Sequence, residues 1–207
     1  MQSTKEHWEQ VYDGRLNCSF SWYQEHARQS RQLIGNTGIS FDAPVIDVGG
    51  GASTLVDDLL ACGYSNLTLL DISSSALAAT KERLGATGKP VRWIQSDITE
   101  ARLEEYGYEV WHDRAVFHFL ASPGARQKYI NTLSKAIRPG GHIILSTFAL
   151  DGPCRCSGLP AVRYSPETLH AELGDSFDLV THEKELHLTP SGVVQSFIYC
   201  HFRKCDS

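Results

Sequence analysis

The stretch Ala43-Pro-Val-Ile-Asp-Val-Gly-Gly-Gly-Ala-Ser-Thr54 decides how the rest of the chain is read. Val45, Ile46 and Val48 flank Asp47 and run into Gly49, Gly50 and Gly51, after which Leu55, Val56, Leu59 and Leu60 recur at helical spacing. That pattern predicts a buried strand, a tight turn and a helix, the opening unit of an α/β fold. Glycine lets the backbone turn sharply and lets a ligand lie against it with no Cβ between. The free N–H groups of the new helix favour an electron-rich ligand group.

Downstream, the unit repeats. Ser65–Asp71 reads as a second strand ending in an acid, and residues 73–85 as a serine-capped helix with a glycine stop. Pro90–Asp97 is a third strand, again ending in an acid, and Tyr108–Ala115 a fourth. Ser122-Pro123 opens a helix whose buried stripe is Tyr129, Ile130, Leu133 and Ile137, and His142–Phe148 is the fifth strand. Leu150–Tyr164 carries Gly152, Pro153, Gly158 and Pro160 and reads as a loop, followed by a short helix over Ser165–Gly174. Phe177–Leu188 and Val193–Arg203 close the chain as a hairpin. The expected fold is α/β, Rossmann-like, with a seven-stranded, mostly parallel sheet, a C-terminal antiparallel hairpin and helices on both faces.

Upstream, residues 1–42 are polar and aromatic, with helices expected over Thr4–Tyr12 and His26–Ile34 and a loop between them. Trp22 and Tyr23 are candidates for a lid, because aromatic side chains exclude water. The organisation expected is a helical and aromatic lid segment over 1–42 and a ligand-binding domain over 43–207, a single domain overall.

At 207 residues the chain suits one domain. A net charge of −5 argues against a nucleic-acid backbone as the main partner. No apolar run approaches the roughly 18 residues of a membrane span, and the N-terminal residues lack the apolar core of a signal peptide. Six irregularly spaced cysteines do not form a disulfide framework, so the cytoplasm is the expected compartment.

In open α/β sheets ligands bind outside the C-terminal ends of the strands. Asp47, Gly49, Gly50, Gly51, Asp71, Asp97 and Asp113 all fall at or near such ends. Asp71 lies about 20 residues past the glycines, the distance at which an acid accepts both hydroxyls of a ribose. Asp97 is placed to accept from an adenine amino group, with Ile98 packing on the ring. A dehydrogenase is disfavoured because Gly-Gly-Gly lacks the third spaced glycine that lets a helix pack near a pyrophosphate.

At these residues the chain resembles the class I S-adenosylmethionine-dependent methyltransferases. Val-Ile-Asp-Val-Gly-Gly-Gly matches their first motif, although the commoner form alternates glycine with another residue. Leu-Leu-Asp-Ile-Ser matches their ribose-binding acid, Gln-Ser-Asp-Ile their adenine-contacting segment, and Arg-Pro-Gly-Gly-His-Ile-Ile-Leu their entry to the fifth strand. The resemblance covers Phe41–Phe148 closely. It implies S-adenosylmethionine as cofactor and S-adenosylhomocysteine as product. It places Asp47, Gly49, Gly50 and Gly51 at the methionine part, Asp71 and Ile72 at the ribose, and Asp97 and Ile98 at adenine. The N-terminal His-Trp-Glu-x-x-Tyr and Ser-Trp-Tyr segments also look like small members of the family, which implies closure over the cofactor by Trp22 and Tyr23.

On the acceptor side, the resemblance sets Trp111–His118 toward the sulfonium methyl. His118 or Asp113 is then the candidate proton acceptor, and Arg114 the partner of an anionic substrate group; the alternative is an Asp113–Arg114 pair with His118 packed beneath the helix. Cys154, Cys156 and Cys200 suggest a soft substrate site for arsenic, selenium, tellurium or a metal, though C-x-C spacing falls short of a zinc site. No resident metal is expected. The expected function is methyl transfer to a small thiol, chalcogen, arsenic or nitrogen nucleophile. A protein lysine is the second choice, and a non-catalytic cofactor-binding module is the alternative of another class.

Overall fold

The computed structural model describes residues 4–14 and 17–206, so Arg15 and Leu16 of the expected N-terminal loop, and residues 1–3 of the expected lid segment, lie outside it. Five parallel strands form the centre: β1 (Val45–Val48), β2 (Leu67–Asp71), β3 (Arg92–Gln95), β4 (Tyr108–Arg114) and β5 (Ile137–Ala149). Three two-residue strands follow, β6 (Arg155–Cys156), β7 (Leu159–Pro160) and β8 (Arg163–Tyr164), and then the long pair β9 (Phe177–Leu188) and β10 (Val194–Lys204). The order across the sheet is β3-β2-β1-β4-β5-β10-β9, with β10 antiparallel to both neighbours and β8 added beside β5. The seven-stranded Rossmann-like sheet with its antiparallel hairpin is therefore as the sequence predicts.

The helices are α1 (Thr4–Tyr12), α2 (Arg28–Asn36), α3 (Leu55–Ala61), α4 (Ser74–Leu84), α5 (Pro123–Ala136) and α6 (Pro166–Leu173). Burial on both faces of β1 and β2 explains why those strands read as continuous apolar runs. Leu33, Ile34, Leu55, Leu59 and Leu77 of α2, α3 and α4 pack on one face with Phe197 and Tyr199. Tyr129, Leu133, Leu169 and Leu173 of α5 and α6 pack on the other with Ile198 and Cys200. Side chains along β10 thus alternate between two cores, as the period of a strand requires.

Local chemistry sets the helix ends. Ser73 and Ser122 each accept a backbone N–H three residues on, and Ser165 forms a reciprocal capping box with Thr168. The second N-terminal helix starts at Arg28 instead of His26, because Asp58 takes the His26 ring (2.7 Å) and the Ala27 N–H (2.8 Å) ahead of the first turn.

The expected loop over Leu150–Tyr164 is more ordered than its composition suggests. Ser157 and Gly158 both adopt positive φ (49° and 78°), the geometry of a two-residue hairpin turn, and they close β6 onto β7. A non-glycine residue at one of those two positions is what hides the turn from a sequence reading.

Candidate active site

The three glycines bring main chain against three side chains. Gly49 has φ +69°, and a Cβ there would lie 2.0 Å from Val116 Cγ2. A Cβ on Gly50 would lie 2.2 Å from Asp47 Oδ2, and one on Gly51 2.6 Å from Asp71 Oδ2. Asp71 closes the turn by accepting from the N–H groups of Gly51 (3.0 Å) and Ser73 (2.8 Å). Burial lifts its pKa to about 6, with the two backbone bonds opposing and the Asp47 and Glu9 charges adding to the rise. Asp47 meets the His112 ring at 2.7 Å through Oδ1, and His112 meets Ser30 Oγ at 2.9 Å. Asp47 Oδ2 is buried with no hydrogen-bond partner.

A cavity of about 440 Å3 opens at the C-terminal ends of β1, β2 and β4, a size that suits a cofactor. From the β2 and β3 side its wall is Asp71, Ile72, Ser96, Asp97, Ile98 and Thr99; from the β4 side it is Arg114, Val116, Phe119 and Leu120. Asp97 Oδ1 accepts from the Thr99 N–H and hydroxyl (2.9 and 2.8 Å), which fixes the turn that carries Ile98. Cys156, Leu159 and Pro160 of the β6–β7 hairpin complete the far side.

Thr4, Trp8 and Tyr12 of α1, with Trp22, also line the cavity. Trp8 meets Phe119 edge-on at 5.1 Å, and Trp22 stacks on Phe20 at 4.8 Å. Glu9 ties this helix to α4: its carboxylate accepts from the Ser73 hydroxyl, the Ser74 hydroxyl and N–H, and the Ser75 N–H, at 2.7–3.1 Å. Partial burial pushes the Glu9 carboxyl up, but these bonds together bring it down to about 2. The sequence offers Trp8, Glu9 and Tyr12 within the His-Trp-Glu-x-x-Tyr segment, but only Trp22 and Tyr23 are expected there as site residues. The signal was there, since Thr4, Trp8 and Tyr12 recur every four residues and so share one helix face.

The other expected site residues do not converge. Tyr23 lines a separate space of about 40 Å3 over the glycine turn, beside Asp47, Gly50, His112 and Arg114. Asp113 does not pair with Arg114. It is fully buried and accepts from Val116 N (2.9 Å), Phe117 N (3.1 Å) and the Tyr129 hydroxyl (2.6 Å), away from the cavity wall. Burial lifts its pKa to about 6 against those bonds. Arg114 does reach the cavity, donating to the Tyr199 hydroxyl (2.8 Å) and the Trp22 carbonyl (2.9 Å) over the Phe197 ring.

His118 is fully buried beside Phe148, whose N–H it meets at 3.3 Å, and its ring is not part of the cavity wall. Burial, with Arg114 nearby, lowers its pKa to about 3. A depressed histidine resists protonation in the folded state alone, so its stabilisation is present above pH 6.5 and lost as pH falls toward 3. His118→Gln is expected to keep wild-type turnover and to show a flatter loss of stability between pH 7 and pH 4.5 in urea titrations. A large fall in turnover with unchanged stability would make the imidazole catalytic.

Of the cysteines, Cys156 alone lines the cavity, with Sγ 3.9 Å from Ser21 Oγ and a thiol pushed up by burial. Cys154 is exposed, and Cys200 packs on the opposite face of the sheet from Cys156, so the three form no cluster. Strand parity separates them, which spacing between distant residues does not reveal. Among the described residues no three His, Cys, Asp or Glu side chains are grouped to hold a metal ion, and no helix is long and apolar enough to cross a membrane.

Comparison with known proteins adds the following. The family described as "Methyltransferase domain" matches residues 46–143, which span the glycine turn, Asp71 and Asp97. EEF1A lysine methyltransferase 2 of Danio rerio is 26% identical over 158 residues, covering 70% of this chain and 68% of that protein. Ubiquinone biosynthesis O-methyltransferase of Vibrio atlanticus (strain LGP32) is 30% identical over 108 residues, covering 52% of this chain and 44% of that one. The crystal structure of the N-methyltransferase NodS from Bradyrhizobium japonicum WM9 with S-adenosyl-L-homocysteine superposes with a TM-score of 0.73. Its sequence is 19% identical, and the match covers 95% of this chain and 97% of that one.

Proposed function

We propose that the chain is a class I S-adenosylmethionine-dependent methyltransferase whose acceptor is a small thiol, chalcogen, arsenic or nitrogen nucleophile. The residues present fit the cofactor. The glycine cradle admits no Cβ, Asp47 holds an unpaired carboxylate oxygen beside it, and two acids line the β2–β3 side of an adequate cavity. In this reading Asp71 accepts the ribose hydroxyls, Asp97 and Ile98 hold adenine, and Gly49–Gly51 lie against the methionine part. S-adenosylmethionine supplies an electrophilic methyl group on a sulfonium.

The observation that carries the acceptor reading is the composition of the far wall: Trp22, Phe119, Leu120, Cys156, Leu159 and Pro160. Both cavity carboxylates, Asp71 and Asp97, stand on the β2–β3 side, so a lysine ammonium meets no counter-charge at the far wall. The Arg114 guanidinium stands 3.6 Å from Glu185, which balances its charge. Trp8, Tyr12 and Trp22 act as the lid, excluding water while the walls align nucleophile and methyl group. With the Asp113 and His118 side chains off the wall, the acceptor arrives already able to attack, as a thiolate, a chalcogen or arsenic anion, or an uncharged amine.

A protein-lysine acceptor is the second reading, favoured by the relatives that cover two thirds of their own length. The test is release of S-adenosylhomocysteine in the presence of small aryl and alkyl thiols, selenium and arsenic oxyanions with reductant, small amines, and folded protein lysates. Turnover is expected with a small acceptor and absent with protein. Lysine methylation in a folded protein, with every small acceptor silent, would overturn the reading.

A further inference from the structure

Two histidines that the cavity does not use face each other across the sheet. His142 Nδ1 lies 2.9 Å from His201 Nε2. β5 and β10 pair antiparallel with His142 opposite Arg203 and Ile144 opposite His201, so the two rings are diagonal neighbours on one face. Val110, the other partner of His142, is level with Val45 at the start of β1. The pair therefore stands toward the N-terminal ends of the parallel strands, and the cavity at their C-terminal ends. Pairing is irregular beside each histidine. The β4–β5 register shifts between Tyr108 and Val110, and Val180 of β9 is passed over between Thr181, opposite His201, and Leu179, opposite Phe202. Irregularities of this kind bend a strand and re-aim its side chains.

Neutral imidazole nitrogen is a good ligand for late first-row divalent metals. A tetrahedral ion about 2.05 Å from each of two ring nitrogens sets those nitrogens roughly 3.3 Å apart and the ring centroids roughly 5.2 Å apart. The nitrogens here are 2.9 Å apart and the centroids 5.1 Å. The rings need only turn about their own centres to aim both lone pairs at one point, and the strands keep their places. Burial lowers both imidazoles from the ordinary histidine range, His142 helped by the Arg203 charge and opposed by Glu109, and His201 to about 4 with His142 adding to the fall. Both are thus uncharged at pH 7. The two charged neighbours are engaged elsewhere: the Arg203 Nε–H donates to the Gly140 carbonyl (3.2 Å), and Glu109 accepts from Arg138 (3.1 Å). His201 is buried and His142 half-buried, so water reaches the pair from the His142 side.

We propose that His142 and His201 form a two-histidine site for a divalent transition-metal ion of the zinc class, with water completing its shell. Two protein ligands make an exchangeable site, in contrast to the closed four-ligand shell of a structural zinc. The bound ion clips β10 of the C-terminal hairpin to β5 of the parallel half, so its effect is on stability. The inference is independent of the methyl-transfer reading, because the pair lies away from the cavity and shares no residue with its wall.

The test is calorimetry of untagged, metal-free protein with zinc, copper(II) and magnesium chlorides. Zinc is expected to bind at one ion per chain with a Kd on the order of 10 µM, the range that half of a structural zinc shell supports, with copper tighter and magnesium silent. His142→Asn and His201→Gln are each expected to weaken zinc by at least about 10-fold. Zinc should raise the Tm of wild-type protein and leave that of His142→Asn unchanged. The chain carries nine histidines and six cysteines, so zinc affinity unchanged in either folded variant would put the ion on other ligands and overturn the proposal. Absence of binding to wild-type protein at millimolar zinc would do the same. Should both variants fail to fold, diethylpyrocarbonate labelling of wild-type protein decides. Zinc is expected to protect His142 relative to the exposed His26 and His182, and equal labelling with and without zinc would overturn the site.

Discussion

Asp71→Ala is expected to weaken S-adenosylmethionine binding by about 1–3 kcal/mol, the scale of charge-assisted hydrogen bonds lost at a buried site. The carboxylate also anchors the glycine turn through the Gly51 and Ser73 N–H groups, so the upper half of that range is the expectation. Affinity should fall as pH drops through about 6, because the protonated acid gives up part of its accepting capacity. The sign of the stability effect is opposite. A folded pKa above the ordinary 3.8 means stabilisation present below that value and lost as pH rises through 6. Holding this carboxylate charged at neutral pH costs the folded protein stability. Calorimetry of wild type and variant from pH 5 to 8 reads both effects. A flat wild-type profile, with an unaffected folded variant, would remove Asp71 from the ribose site.

Asp113→Ala should act on the fold. It strands two buried donors, the Phe117 N–H and the Tyr129 hydroxyl, and the half-buried N–H of Val116. At about 1–3 kcal/mol for each unmet group, partly relieved by relaxation, the expected loss is about 3–5 kcal/mol in urea unfolding. Tyr129→Phe removes one of those bonds and should cost about 1–2 kcal/mol. Cofactor affinity of the folded Asp113→Ala protein is expected to stay within a few-fold of wild type. Wild-type stability with turnover abolished would return Asp113 to a catalytic role.

Asp71 and Asp113 show where sequence reading reaches and where it stops. Asp71 ends β2 and Asp113 stands one residue before the end of β4, and both precede a turn. The difference lies in which N–H groups the next turn aims at them: after β2 it is a helix start that leaves the acid on the cavity wall, and after β4 the turn over Phe117–Phe119 folds back and encloses it. The strands, the parallel character of the sheet and the glycine turn were legible because they rest on local pattern, namely apolar runs, Gly-Gly-Gly and serine caps. The placement of His118 was not, because the same short turn that presents Phe119 to the cavity turns the histidine ring into the core. The cysteines fail for a different reason. Cys156 and Cys200 belong to strands whose facing is set by pairing across the sheet, and that register is not written in either segment alone.

The helix that roofs the cavity contributes no buried residue to the core. Trp8 and Tyr12 shape the ligand space, while attachment comes from edge contacts between rings and from Glu9 on the first turn of α4. The residues of this helix that line the cavity are thus not residues of the packed core. One face of α1 can therefore change the shape of the ligand space while the packed interior keeps its residues.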